Sequence, residues 1–348
     1  MFVTDIQKAE EGIRRQGRRK PYHSKRNLEM KIIRGLKCIG PDIQNGVLTL
    51  GNFDGLHLGH QKILQTVTDR ARDSGVQAMV FTFEPHPLKI LAPDRCPPLL
   101  TTFHEKMKLL QKSNVDVVIC AHFTEELASQ HPEEFIRSTL WEKLRVKEVY
   151  VGYNYTFGRG RKGTIAMLDE YSRHYPFRVH VVEEVNIQGE NVSSTAIRNY
   201  IREGNIEKAN LLLGRPYTLT GKVMPGCGRG RTLGFPTANI APGIKLIPKY
   251  GVYLVRILIH EKTYNGVANI GPRPTFGDPS PGVEVYIFDL QANLYQQFLE
   301  IELIKRIRDE ISFPNAGSLV QQIRQDVKDA HQIFKSEEIE KKGIIERQ

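Results

Sequence analysis

Long hydrophobic runs are missing from this chain. Nowhere in its 348 residues does an apolar stretch approach the roughly 20 residues that cross a bilayer. The N-terminus is polar and has no apolar core of a secretory leader. Both absences make a cytoplasmic chain with no membrane partner the expectation. Cysteine is scarce as well: Cys38, Cys96, Cys120 and Cys227 are scattered, without a C-x-x-C pair. That spacing excludes a zinc knuckle and a disulfide scaffold, and implies idle thiols in a reducing compartment. The C-terminal half lacks the interleaved aromatic and basic residues with which barrels bind single-stranded nucleic acid. What remains, 40% hydrophobic and 25% charged residues, is the composition of ordinary globular protein, at a length that accommodates about two domains.

The formal charge of +10 invites a nucleic-acid reading, but its distribution argues against one. Residues 1–29 hold eight Lys or Arg against four acidic side chains, a net +4 in one short, apolar-poor stretch. Such a composition is expected to stay disordered. Met30-Lys-Ile-Ile-Arg-Gly35 reads as a natural start, which makes 1–29 a basic extension; its acidic residues are wrong for a transit peptide.

Between Val47 and Val182, apolar β-rich runs alternate with helical patterns. Strands are expected at 47–50, 77–83, 115–120, 146–151 and 177–182, and helices after His60, over 104–112, over 133–144 and after Gly163. This alternation predicts a parallel sheet with crossover helices, a Rossmann-like α/β domain over 30–186. Ligands of such sheets sit at the carboxyl ends of the strands. The pattern changes near residue 214. Short alternating runs at 217–223, 250–259, 264–270, 283–288 and 299–304, punctuated by Gly, Pro and Asn, predict a small antiparallel Greek-key β-barrel over 214–340. An amphipathic C-terminal helix, 318–334, is expected to cover one mouth of the barrel. Residues 187–213 read as a helical linker, with one helix running from Ser194 to Leu213.

Gly51-Asn-Phe-Asp-Gly-Leu-His-Leu-Gly-His60 is the densest motif of the first domain, placed where a buried strand turns into a helix. His57 and His60 are three residues apart and share one face of a helical first turn. Gly51 and Gly59 let the backbone approach a bulky ligand, and free N–H groups at a helix start attract phosphate. Pro85-His86-Pro87 and the loop Gly152–Gly163 also follow strands, so one crevice can hold all three. Asn191-Val-Ser-Ser-Thr-Ala-Ile-Arg198 opens the next helix, where Ser193 or Ser194 caps while Thr195 and Arg198 address phosphate oxygens. Gly158-Arg-Gly-Arg-Lys-Gly163 fits G-x-G-x-x-G, with Glu183 further on. The strand ends well before Gly158, which argues for a loop contacting phosphate or flavin over a nicotinamide site.

In the second domain, Gly226-Cys-Gly-Arg-Gly-Arg-Thr-Leu-Gly-Phe-Pro-Thr-Ala-Asn239 reads as a flexible anion-binding loop. Arg229 and Arg231 add charge to it, and Thr237 and Asn239 offer neutral oxygens suited to Mg²⁺ and phosphate. Asn269-Ile-Gly-Pro-Arg-Pro-Thr275 and Glu284 follow. Glu284 lies between apolar neighbours of a strand and so faces opposite to them, towards solvent or into the barrel mouth.

G-x-F-D-x-x-H-x-G-H together with S-S-T-x-I-R resembles the paired signatures of adenylyl- and cytidylyltransferases. Gly226–Asn239, Asn269–Thr275 and Glu284, in that order, resemble riboflavin kinases, whose P-T-A-N stands intact at Pro236–Asn239. Taken together, residues 30–340 resemble the bacterial bifunctional FAD synthetase family. The resemblance implies phosphorylation of riboflavin to FMN in the C-terminal domain and adenylylation of FMN to FAD in the N-terminal one, each with ATP and Mg²⁺. Riboflavin, FMN, FAD and ATP are then the partners, without nucleic acid, and no motif specifies an oligomeric state. The resemblance assigns Gly51, Phe53, Asp54, His57, His60, Ser194, Thr195 and Arg198 to ATP and phosphate, with His57 and His60 catalytic. It assigns Gly226, Arg229, Arg231, Gly234, Thr237 and Asn239 to ATP and phosphate in the kinase. There Thr237 and Asn239 also serve the metal, and Glu284 is the catalytic base. Phe83, Asn154 and Phe157 are expected to meet the flavin, with Tyr155 a further aromatic candidate. Two departures stand out: residues 1–29 have no counterpart in the family, and the loop Asn154-Tyr-Thr-Phe-Gly158 has Tyr and Thr where Phe and Arg are usual.

Elementary chemistry agrees with a single base. A phosphomonoester, with its second pKa about 6, is already a nucleophile near neutrality and needs alignment and charge neutralisation. A ribityl alcohol needs a group to accept its proton. Competing readings are a chain with one active half, a nucleotidyltransferase acting on pantetheine phosphate or nicotinamide mononucleotide, and a flavin- or RNA-binding regulator. The attached P-T-A-N barrel opposes the second, and the position of the excess charge opposes the third.

Overall fold

A computed structural model of the chain describes residues 29–272 and 281–345. They form two compact units that divide between Ser194 and Thr195. Apart from Glu29, the basic extension expected to be disordered lies outside the described residues, as do Arg273, Pro274 and Thr275.

The first unit is built on a six-stranded sheet: β1 (Lys31–Arg34), β2 (Val47–Leu50), β3 (Ala78–Glu84), β4 (Val117–His122), β5 (Glu148–Gly152) and β6 (Arg178–Val182). The spatial order is β1-β4-β3-β2-β5-β6, and every pairing is parallel. All four residues of β2 are buried, the continuous apolar reading expected of a strand covered on both faces. Leu48, Leu50, Met79, Phe81, Val149 and Val151 pack on one face against Phe135, Ile136 and Leu140 of a π-helical segment, Phe135–Lys143. On the other face Val80 and Val118 meet Leu64 of α1 (Leu58–Asp73) and Met107 and Leu110 of α2 (Phe103–Lys112). A third helix, α3 (Ile165–Ser172), and a two-residue ladder of β7 (Asn186–Ile187) with β8 (Glu190–Asn191) complete the unit. The edge strand β1 was hidden in the sequence because four residues carry too little periodicity. The chain runs outward from β2 to β3 and returns to β5 on the other side of β2. The carboxyl end of β2 is therefore the switch point where open α/β sheets bind ligands.

The second unit opens with two helices, α4 (Ser194–Glu203) and α5 (Ile206–Leu213). The single helix expected over 194–213 is broken because Gly204 takes φ +82° and Asn205 caps the second helix, its Oδ1 accepting from Lys208 N. Both helices are tied to the barrel, so 195–213 behaves as part of it. Asn210 Nδ2 donates to Leu303 O at 2.8 Å, its Oδ1 accepts from Tyr217 N at 2.7 Å, and Lys249 N donates to Ile201 O.

Six strands close the barrel: β9 (Tyr217–Met224), β10 (Thr237–Pro242), β11 (Gly251–Ile259), β12 (Lys262–Pro272), β13 (Pro281–Ile287) and β14 (Phe298–Arg308), in the ring order β10-β13-β12-β11-β14-β9. Within it β14-β11-β12-β13 is a Greek key, three hairpin-linked strands with the fourth returning beside the first. β10 begins with the Thr-Ala-Asn of P-T-A-N, and Pro and Gly on both sides mask its alternation in the sequence.

The C-terminal helix α6 (Ala316–Ile345) departs from expectation. Ala330 and Phe334 pack on Val252, Leu254, Val267 and Phe288, whereas the alternate residues Tyr253 and Val255 of β11 are fully buried. Side chains alternate across a strand, so α6 lies against the outer wall of the barrel and not over a mouth. Among the described residues no helix is long and apolar enough to cross a membrane.

Candidate active sites

In the first unit the loop between β2 and α1 is held in an unusual backbone. Phe53 (φ +50°) and Leu56 (φ +37°) lie in the left-handed region together with Gly55 (φ +82°). Such residues persist only where their surroundings over-determine them, and here they do. The Asp54 carboxylate accepts from Leu100 N, Thr101 N and Thr101 Oγ1 at 3.0–3.1 Å, and Thr101 Oγ1 also accepts from Gly55 N. Asn52 O accepts from Thr82 Oγ1 at 3.2 Å and from Lys106 Nζ at 3.0 Å. Ser194 Oγ donates to Asp54 O at 2.9 Å, which brings the serine of S-S-T onto the G-N-F-D turn.

His57 is the N-cap of α1, extended rather than helical, with its Nδ1 accepting from His60 N at 3.3 Å. An accepting Nδ1 puts the ring proton on Nε2. The two imidazoles stack with centroids 3.7 Å apart. Gly59 makes this possible, since a Cβ there would lie 3.2 Å from the His57 ring. Phe53 is a buried support whose ring meets His60 edge-on at 5.1 Å. Asp54 is likewise buried and engaged within the protein. Gly51, His57, His60 and Ser194 thus converge at the carboxyl end of β2. Thr195, exposed, and Arg198, buried, stand on α4 in the second unit.

The two other loops follow β3 and β5, the strands flanking β2. His86 caps a short helical turn, its Nδ1 accepting from Leu88 N. Gly158–Gly163 closes on itself through Phe157 N to Gly163 O and Gly163 N to Phe157 O, which is not a dinucleotide fingerprint; Arg159, Arg161 and Lys162 are exposed on it. Of the flavin candidates, Asn154 is exposed. Phe83 packs edge-on against Phe81 and Phe123. Phe157 is buried between Phe135 and Tyr155, so its ring serves packing. Burial also pushes the Tyr155 phenol well above its ordinary pKa.

The second unit holds a cavity of about 370 Å³ on the outside of the barrel wall, roofed by α6 and by the Gly-rich loop. Strand register builds its floor. Glu284 of β13 sits directly between Asn239 of β10 and Asn269 of β12, and Thr237 lies beside Tyr286. All five side chains line the cavity, while Val283 and Val285 are fully buried on the other side of the strand. Glu284 thus faces this outer cavity and not the barrel mouth. Gly226 and Arg229 also line it, whereas Arg231 and Gly234 do not. The loop rests directly on the floor: a Cβ on Gly226 would fall 2.1 Å from Asn239 Nδ2, and one on Gly230 would fall 3.2 Å from Thr237 Oγ1.

Thr237 and Asn239 are alternate residues of β10 and present a hydroxyl and an amide oxygen to one face. Mg²⁺ accepts such hard oxygen donors with few protein ligands, completing its shell from water and phosphate. The donor set therefore fits a nucleotide-bound Mg²⁺. Among the described residues no cluster of three His, Cys, Asp or Glu forms a separate metal cage.

Sequence reasoning missed several residues here. Leu100, Thr101 and Lys106 hold the first loop, and the capping box of Thr102 with Glu105 was the available signal. Arg308, Glu310 and Asp326 line the cavity; Arg308 pairs with the buried Asp326 at 2.6 Å from positions 18 residues apart, with no local motif to announce them.

Comparison with known proteins follows the same division. Residues 40–196 match the family model of FAD synthetase, and residues 213–334 match that of riboflavin kinase. The chain is 38% identical to the bifunctional riboflavin kinase/FMN adenylyltransferase of Escherichia coli strain K12, covering 88% of this chain and 98% of that one. It is 38% identical to the Haemophilus influenzae protein of the same name (88% and 100% covered) and 36% to that of Bacillus subtilis (83% and 92%). Among solved structures, a protein from Streptococcus pneumoniae described as a macrolide-efflux protein is similar, with a TM-score of 0.79 at 31% identity over 87% of this chain and 99% of that one.

Proposed function

We infer the division of labour from one established point: this chain belongs to the family of bifunctional riboflavin kinase/FMN adenylyltransferases. It carries out ATP-dependent phosphorylation of riboflavin to FMN and adenylylation of FMN to FAD. The kinase reaction is assigned to 195–345. The observation that carries this is the row Asn239–Glu284–Asn269 on the floor of the 370 Å³ cavity. There Glu284 accepts the proton of the ribityl hydroxyl as its oxygen bonds to the γ-phosphorus of ATP and ADP leaves. Thr237 and Asn239 would hold Mg²⁺, which when bound neutralises phosphate charge. Gly226 and Arg229 close over the nucleotide, with Arg231 and Gly234 shaping the loop.

Adenylyl transfer is assigned to 29–194. The FMN phosphate attacks the α-phosphorus and diphosphate leaves. Gly51 and the N-terminus of α1 receive the triphosphate; His57 and His60 donate to its oxygens, with Ser194 completing the set. Asn154 is retained as the flavin-contacting candidate exposed to solvent. Free Cys38, Cys96, Cys120 and Cys227 fit a reducing cytoplasmic setting. The efflux role named for the pneumococcal protein has no counterpart in either family model matched here.

The test is direct. Purified chain is incubated with riboflavin, ATP and Mg²⁺ and the flavins are separated by chromatography. FMN followed by FAD is expected. Riboflavin and added FMN recovered unchanged would overturn the reading.

A further inference from the structure

We propose that Lys106 is a positioning residue for adenylyl transfer, holding the Asn52 carbonyl and with it the Gly51–His60 loop in the conformation that receives the triphosphate. The proposal rests on the assignment of that reaction to this loop.

Lys106 is 7% exposed, yet it carries a long aliphatic stem and an ammonium that stops 3.0 Å from Asn52 O. A second, longer contact reaches Thr82 Oγ1 at 3.5 Å. Its root is fixed, because α2 begins at a capping box in which Thr102 N donates to Glu105 Oε2 and Glu105 N to Thr102 Oγ1. The segment Leu100–Lys106 therefore grips the loop at three successive points. Lys106 takes Asn52 O, Leu100 and Thr101 take the Asp54 carboxylate, and Thr101 takes Gly55 N. Phe53, Gly55 and Leu56, the left-handed residues, lie between or beside these points. Releasing Asn52 frees the end of the loop nearest β2, where the backbone must meet phosphate.

A neutral donor would suffice for a hydrogen bond, and Thr82 already supplies one. A buried ammonium is costly unless compensated, and no carboxylate lies within ion-pair distance of Lys106 among the described residues. The groups facing it are Asp54 from the loop, Glu84 from β3 and Cys120 from β4, all acting at longer range, and burial outweighs them to pull its pKa below the ordinary lysine value. A triphosphate docked on the loop supplies the missing negative charge and favours the ammonium. ATP binding for adenylyl transfer should then weaken as pH rises through the lowered Lys106 pKa, and the kinase reaction, assigned to the other unit, serves as the control.

Full-length wild type, K106M and T82V are compared for FMN adenylylation from about pH 7 to about pH 10, below the ordinary lysine pKa of about 10.4. KM for ATP and kcat are determined separately, with riboflavin phosphorylation and thermal midpoint measured on the same preparations. K106M is expected to lower kcat/KM for ATP by about 10- to 10²-fold, the scale of a small misplacement of a binding loop. It should also abolish the alkaline limb of the wild-type profile and leave riboflavin phosphorylation unchanged. T82V should lose less and keep the alkaline limb. A folded K106M with wild-type kcat/KM overturns the proposal. Should K106M fail to melt cooperatively, the wild-type profile decides, and a flat kcat/KM up to about pH 10 overturns it equally. Wild type that makes no FAD from FMN would instead overturn the functional reading beneath it.

Discussion

Replacing Glu284 by Gln should separate the two reactions of this chain most cleanly. Glutamine keeps the length and shape of the side chain in its place between Asn239 and Asn269, its register neighbours. It cannot take a proton. If Glu284 accepts the ribityl proton, the substitution removes general-base catalysis, a loss of about 10²–10⁴ in kcat. At about 1.36 kcal/mol per tenfold, that is roughly 2.7–5.4 kcal/mol of transition-state stabilisation. Folding should hardly notice. Glu284 is exposed in the cavity, while Val283 and Val285 make the core contacts of the strand, and surface substitutions stay within about 0.5 kcal/mol. Riboflavin and ATP binding should change little, so KM stays near wild type while kcat falls. The assay is chromatographic: FMN formed from riboflavin, and in a parallel reaction FAD formed from supplied FMN. Adenylylation by E284Q should match wild type. Equal loss of both activities, or retention of full kinase activity, would refute the argument from the Asn239–Glu284–Asn269 row.

Three further outcomes follow from the geometry. His60→Ala should lower FMN adenylylation by about 10²–10³, the cost of one transition-state donor, with riboflavin phosphorylation as the internal control; an unchanged turnover number removes His60 from the catalytic set. Gly226→Ala places a Cβ 2.1 Å from Asn239 Nδ2, so either the loop or the amide must move, and kinase kcat/KM for ATP should fall by up to about 10², while adenylylation is untouched. Glu148, buried at the start of β5, accepts from Arg70 at 2.6–3.0 Å and from Tyr150 OH at 3.0 Å. The Arg70 hydrogen bonds hold its carboxyl below the ordinary value, and burial with that same carboxylate pushes the Tyr150 phenol up to about 12. A depressed carboxyl stabilises the fold above its unfolded pKa, near 4.3, and loses that contribution as pH falls through the folded value. Glu148→Gln should therefore lower the thermal midpoint at neutral pH, with the gap to wild type closing as pH falls below about 4. A gap that stays constant with pH would show that the ion pair is not its source.

How much was legible depended on whether the signal was local. β2, β3 and β5 announce themselves as buried apolar runs, and the motifs at their ends could be placed on one edge of the sheet because parallel topology leaves no other choice. The barrel strands were readable from alternation, except β10, whose six residues are bounded by Gly, Pro and a motif that looks like loop. The position of α6 was not readable: an amphipathic stripe says that a helix covers something apolar, and only the pairing of Val252 and Leu254 with Ala330 and Phe334 says that it is the wall. The face chosen by Glu284 was undetermined for the same reason, since alternation gives parity without saying which side is roofed. Phe53, Asp54 and Phe157 show a different limit. Each stands in a motif, yet the first supports His60 from below, the second ties the turn to Leu100 and Thr101, and the third packs on Phe135. A motif records what a loop needs, and much of what a loop needs is to be held.

That distinction bears on the chemistry itself. Each motif contains one acid, Asp54 in the first unit and Glu284 in the second, and from sequence the two look equivalent. Their surroundings are opposite. Asp54 is 4% exposed, its carboxylate taking donors from Leu100 and Thr101, so protonating it would unfasten a turn that already holds Phe53 and Leu56 in the left-handed region. Glu284 stands open to a cavity large enough for a substrate, between two amides that can orient it without competing for the proton. On the proposed assignment, a phosphate dianion needs no base and Asp54 is not free to be one, whereas an alcohol needs one and Glu284 is open to act as it. If the proposed assignment holds, exchanging the acid for its amide should therefore be a catalytic event at residue 284 and a structural one at residue 54.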